Sequence, residues 1–156
     1  MTVRRITMVL AALVALSAPA WAGLGSKDAK YLGGTLKVKE GQEGKTSTSD
    51  EKVFTFEYKK GEKVSIPYDQ IDSLEYGQKA GRRIGVAIVV NPLFLLSKKR
   101  KHFLTLGFKD GEDKQQAAVF ELGKDIIRVT LATLEARSGR KIEYQDEEAR
   151  KSGRGN

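Results

Sequence analysis

The chain has 156 residues, with 28 lysines and arginines against 20 aspartates and glutamates, a formal charge of +8 at pH 7, one histidine and no cysteine. The missing cysteine excludes disulfide bridges, thiolate catalysis and thiolate metal sites. Aromatic residues are only 8% of the chain and dispersed, which argues against a stacking platform for single-stranded nucleic acid, so no nucleic-acid partner is expected.

Arg4 and Arg5 precede an apolar run over residues 6–16, followed by Ser17-Ala18-Pro19-Ala20-Trp21-Ala22. A basic start, a short apolar stretch and small residues at Ala20 and Ala22 predict a signal peptide over 1–22, cut after Ala22. The run is too short to span a bilayer as a helix. The expected location is therefore the periplasm or the extracellular side of a bacterial envelope, membrane-associated or free. A basic exported chain suits an anionic lipid surface, a polyanionic polymer or an acidic protein.

Residues 23–29 read as a polar lead-in. Residues 31–38 are rich in β-formers, with a bend at Gly33-Gly34. The stretch 39–50 reads as a turn with a weak edge strand around 45–49. Val53, Phe54, Phe56 and Tyr58 form a strand with one apolar face. After the turn at Lys60-Gly61-Glu62, Val64 and Ile66 resume the alternation, so a hairpin is predicted. Pro67 has no amide hydrogen and should end the strand or lie on an edge. Tyr68-Asp69-Gln70 turns the chain into a strand over 71–76. A basic stretch over 77–83 leads into 84–96, apolar apart from Gly85 and Asn91-Pro92, and then into Ser97-Lys98-Lys99-Arg100-Lys101-His102. Residues 103–108 alternate again, Asp110-Gly111 marks a turn, and 117–122 is one more strand.

At Gly123 the period changes to 3.6. Ile127, Leu131, Leu134 and Ser138 trace one helix face, widened by Ile126, Val129 and Thr130, with Lys124, Arg128 and Arg137 outside. Asp125 and Gly139 suit the helix start and stop. Beyond Tyr144 the charged composition predicts a flexible tail over 145–156. The expected architecture is one domain over 30–144, mainly β with a C-terminal α-helix. It is a curved antiparallel sheet or partly open barrel, capped by that helix.

Strands first and one helix last, together with Val64-Ser65-Ile66-Pro67-Tyr68-Asp69-Gln70-Ile71-Asp72-Ser73-Leu74-Glu75, resemble the bacterial pleckstrin-homology-like and GRAM-like domains. The resemblance spans about residues 31–144. It implies a noncatalytic module that binds lipids, peptides or partner proteins. Phosphoinositide-binding members use a basic loop between the first two strands. At that position Lys37, Lys39 and Lys45 stand beside Glu40 and Glu43, and the near-cancelling charge does not carry that ligand over. A fold of this kind hosts many functions.

The segment 82–102 holds the candidate surface: Arg82, Arg83, Lys98, Lys99, Arg100 and Lys101 as cations, with Leu93, Phe94, Leu95 and Leu96 as the apolar part. The run 84–96 is short of the roughly 20 residues that cross a bilayer, but it can dip into one, with basic residues at the head groups. Alternatively 84–90 is a buried strand and 93–96 begins another, or the run forms a homo-oligomer interface. His102 stands alone among lysines, a poor setting for a metal ion. The pair Asp69 and Asp72, the pair Glu147 and Glu148, and the serines 65, 73 and 97 show no catalytic spacing. No cofactor is implied. The expected function is binding of an envelope protein or an anionic membrane surface. A structural assembly domain is the rival reading, and a hydrolase the remote one.

Overall fold

The computed structural model describes residues 29–59, 61–78 and 101–155. Eight strands form one mixed sheet: β1 (Ala29–Gly34), β2 (Gln42–Ser47), β3 (Val53–Tyr58), β4 (Glu62–Pro67), β5 (Ile71–Gly77), β6 (His102–Lys109), β7 (Gln115–Leu122) and β8 (Ile142–Tyr144). Two helices complete the described chain, α1 (Ile127–Ser138) and α2 (Glu147–Arg154). The strand order is β4-β3-β2-β1-β7-β6-β5-β8. Every pairing is antiparallel except the last, where Leu74, Glu75 and Tyr76 lie beside Ile142, Glu143 and Tyr144 in parallel.

A three-residue 3-10 turn, Tyr68–Gln70, joins β4 at one edge to β5 near the other. So short a link requires the sheet to curl until its two ends approach. The sheet does not close; α1 packs against that turn and against β5, at the gap. The mainly β class and the capping helix expected from the alternation are thus present. Phe120 lies at the centre of the aromatic core, with its ring 5.7 Å from Tyr31, 5.8 Å from Phe54 and 5.1 Å from Phe56. The helices add Ile127, Leu131, Leu134 and Ala149 to the same core.

Several local expectations are corrected. The weak edge strand around 45–49 is β2, an interior strand between β1 and β3. Gly44 permits this, because a Cβ there would come within 2.3 Å of the Glu57 carbonyl oxygen and 2.8 Å of the Phe56 ring. The strand expected over 31–38 begins earlier, at Ala29, and ends at Gly34. Gly34 has φ +133°, and a Cβ on it would meet the Ala117 carbonyl oxygen at 2.2 Å. The chain leaves the ladder there, while Leu36 and Val38 still pack on the core.

Val129, expected to widen the buried helix face, is 49% exposed. Arg137, expected outside, reaches inward instead. Its guanidinium donates to the Thr48 carbonyl at 2.5 Å and to the Asp50 carbonyl, and lies 5.4 Å from the centre of the Tyr68 ring. Gly139 ends α1 with φ +68° and its amide donates to the Glu135 carbonyl at 3.1 Å.

The largest correction concerns the tail. Residues 145–156 were expected to be flexible, but Asp146 caps α2 by accepting from the Ala149 amide at 2.7 Å. Ala149 and Gly153 are buried. Gly153 lets the helix approach closely, since a Cβ there would lie 2.8 Å from Tyr144 Cε1 and 3.0 Å from Leu131 Cδ1. Asp146-Glu147-Glu148, an N-cap residue followed by acids in the first turn, was the readable signal for this helix.

Candidate functional site

The site has to be built where the candidate segment leaves and rejoins the sheet. β5 and β6 are paired up to Gly77 and Phe103, so both ends of the connection emerge side by side. Arg82, Arg83, Leu93, Phe94, Leu95, Leu96, Lys98, Lys99 and Arg100 lie outside the described residues. Lys101 is the one candidate that is described. Its ammonium donates to Glu121 Oε2 on β7 at 2.8 Å, which ties its charge to the sheet.

Lys101 belongs to a wider ionic pattern. Lys30 on β1 stands opposite both Glu43 on β2 and Glu121 on β7 in the strand register. The Lys30 ammonium lies 3.1 Å from the Glu43 carboxylate. Charges therefore alternate from Glu43 through Lys30 to Glu121 across three strands, with Lys101, just before β6, at the end of the row. Opposite charges on directly facing strand positions stabilise such pairings modestly, by about 0.2–1 kcal/mol each. Lys30, Glu43, Lys45 and Glu121 also line an open groove together with Ala29 and Gly123. Its rim holds both signs of charge, with Lys30 paired to Glu43 and Lys101 to Glu121.

Beside Lys101, His102 Nδ1 is 2.5 Å from the Tyr76 hydroxyl, and that hydroxyl donates to Ser152 Oγ on α2 at 3.2 Å. The Tyr76 and His102 rings are nearly parallel, with centres 6.1 Å apart. With the proton on Nδ1, a donor chain runs from His102 through Tyr76 to Ser152. Burial lowers the His102 pKa, and the charge of Lys124 lowers it further. Burial likewise raises the Tyr76 pKa, against the hydrogen bond to Ser152. The sequence marks His102 only as poorly placed for a metal ion. The residues that sequence reading missed are its partners Tyr76 and Ser152, which stand far from it in the chain and meet only through the β5–β6 pairing and the docked helix.

The carboxylate pairs are not brought together as acid–base dyads. Asp69 is exposed in the 3-10 turn, while Asp72 Oδ1 accepts from its neighbour Ser73 Oγ at 3.2 Å. Glu147 pairs with Arg150 within α2 at 2.9 Å. Among the described residues no group of three or more His, Asp or Glu side chains is placed to hold a metal ion. Among them, too, no helix is long and apolar enough to cross a membrane.

The chain matches no protein-family model, and a search of curated proteins finds no match to it.

Proposed function

We propose that this protein is a noncatalytic, pleckstrin-homology-like module, exported to the bacterial envelope, that docks on an anionic membrane surface through the chain between β5 and β6. One observation carries this reading. The two strands are paired to their ends at Gly77 and Phe103, so a turn of a few residues would join them. The chain instead carries an apolar run with Arg82 and Arg83 before it and Lys98, Lys99 and Arg100 after it. Long insertions on a rigid sheet are where binding residues concentrate. The leader over 1–22 supplies the export part of the proposal.

Each basic residue near an anionic surface contributes about 1 kcal/mol, and salt screens that contribution. Sedimentation with vesicles tests the reading. The chain 23–156 is expected to pellet with vesicles rich in phosphatidylglycerol at low salt, and to stay in solution with neutral vesicles or at high salt. Reversing Lys98, Lys99 and Arg100 to glutamate should weaken binding by about a hundredfold or more. Equal recovery in the supernatant with anionic and neutral vesicles would sink the membrane reading.

A further inference from the structure

Both roots of the connection between β5 and β6 are among the described residues, since β5 ends at Gly77 and β6 begins at His102. The chain after β8 grips the first root from two sides. Successive side chains of a strand point to opposite faces, and each face of the β5 end meets a residue from this later stretch. On one face the Gln145 side chain lies across Gly77. A Cβ on Gly77 would fall 1.8 Å from Gln145 Oε1, so the position has room only for glycine while Gln145 stays there. Gln145 Nε2 donates to Glu75 Oε1 at 3.1 Å, and the Gln145 amide donates to the Tyr76 carbonyl at 3.1 Å. On the other face the Tyr76 hydroxyl donates to Ser152 Oγ at 3.2 Å, and Gly153 brings α2 close to the same ring. The second root joins through Tyr76, whose hydroxyl is 2.5 Å from His102 Nδ1.

We infer that Gln145 and α2 form a clamp on the two roots of the β5–β6 connection, and that the docking of α2 is coupled to the surface contact made by that connection. The coupling rests on the membrane reading above; the clamp does not. A segment that settles on a surface gives up conformational freedom, and one whose ends are already fixed has less to give up. A docked α2 therefore favours the contact, and by linkage the contact favours a docked α2. The helix is suited to be the moving part. It has eight residues, fewer than the roughly 12–15 at which an isolated helix becomes even marginally stable in water. It therefore owes its existence to its seat on Tyr144, Leu131 and Tyr76. Such an element has two states, docked and unwound, and contacts at either end bias the balance between them.

Hydrogen exchange of the full chain tests the clamp in solution, with one substitution at each end of it. Gly77→Ala displaces the Gln145 side chain from the root, and Ser152→Ala removes the acceptor on α2. Gly77→Ala is expected to speed exchange in 147–154, and Ser152→Ala in 74–78 and 101–104, by about fivefold, while β3 keeps its protection. Gln145→Ala replaces Gly77→Ala in a parallel series, in case the first substitution impairs folding. An effect confined to the element that carries the substitution overturns the clamp, and so does no effect at all. An equal loss in β3 marks general destabilisation and overturns it too. Sedimentation with vesicles rich in phosphatidylglycerol reads the coupling. The variants keep every basic residue, yet are expected to bind at least about fivefold more weakly. Binding equal to that of the unaltered protein overturns the coupling and leaves the membrane reading standing. No binding by the unaltered protein sinks the membrane reading and the coupling with it, while the exchange result still decides the clamp.

Discussion

Tyr31 brings its hydroxyl into the core beside the Leu36 backbone, which favours its ionised form but does not reach it with hydrogen-bond geometry. Burial pushes its pKa up to about 12. An unpaired buried hydroxyl costs stability on the order of 1–3 kcal/mol, so Tyr31→Phe should raise the urea stability by about 1 kcal/mol at neutral pH. The alkaline side gives a second signature. The unfolded side chain ionises near pH 10 and the folded one resists, so stability is full below pH 10 and is lost as the pH rises toward 12. Tyr31→Phe should lack that part of the loss, and parallel curves for the two proteins would contradict the assignment. His102 works in the opposite direction on the acid side. Its folded pKa is below 6.5 because burial, and then Lys124, oppose the imidazolium. The groups facing it include Tyr76, hydrogen-bonded to Ser152, with Tyr144 and Arg128 close enough to act on Tyr76. Stability from this site is full above pH 6.5 and falls as the pH drops from there through the folded pKa. His102→Gln should therefore lose less stability between pH 7.5 and 5 than the unaltered protein, measured by urea unfolding at each pH.

At the level of elements, α2 is held by shape more than by propensity. A glycine inside a helix costs about 1 kcal/mol against alanine, yet Gly153 brings α2 against Tyr144, Leu131 and Tyr76. Gly153→Val should push the helix off the sheet. Hydrogen exchange is expected to show amides 147–154 losing protection while those of β6 and β7 keep theirs; unchanged protection in α2 would refute the packing argument. This element also marks where sequence reading ran out. β3 and β4 were legible because an apolar side chain at every second position is the direct consequence of one buried face, and β6 and β7 from their short runs of β-formers between turn signals, although both of their faces are buried. So was α1, from its stripe at Ile127, Leu131 and Leu134. β2 was underrated, because Gly44, Thr46 and Ser47 have little apolar weight and owe their central position to Phe56 packing over Gly44. β8 and α2 were missed because charge composition dominated the reading of 140–154. Their anchoring residues, Ile142, Ala149 and Gly153, are few and small. Of the candidate surface, only Lys101 falls within the described residues, and its pairing with Glu121 bridges twenty positions in sequence, beyond the reach of local pattern.

For the whole molecule, one core serves both the sheet and the helices, and Phe120 joins three other rings in it. Phe120→Ala should lower the unfolding free energy by about 3–5 kcal/mol, a large part of the roughly 5–15 kcal/mol that such domains possess. A urea midpoint within experimental error of the unaltered protein would show that the core relaxes around the loss. The β1–β7 pairing has a different kind of consequence, one of timing. A chain made from its amino end forms β2, β3 and β4 as nearest-neighbour hairpins. Ala29 finds Gly44 on β2 early, but its other side must wait for Leu122, on the neighbouring but much later strand β7. At synthesis rates of roughly 5–20 residues per second, the first four strands stand for several seconds with the inner edge of β1 open. During that interval the nascent chain offers a strand edge to any other unfinished copy, so the hazard for this protein lies in its birth more than in its finished form.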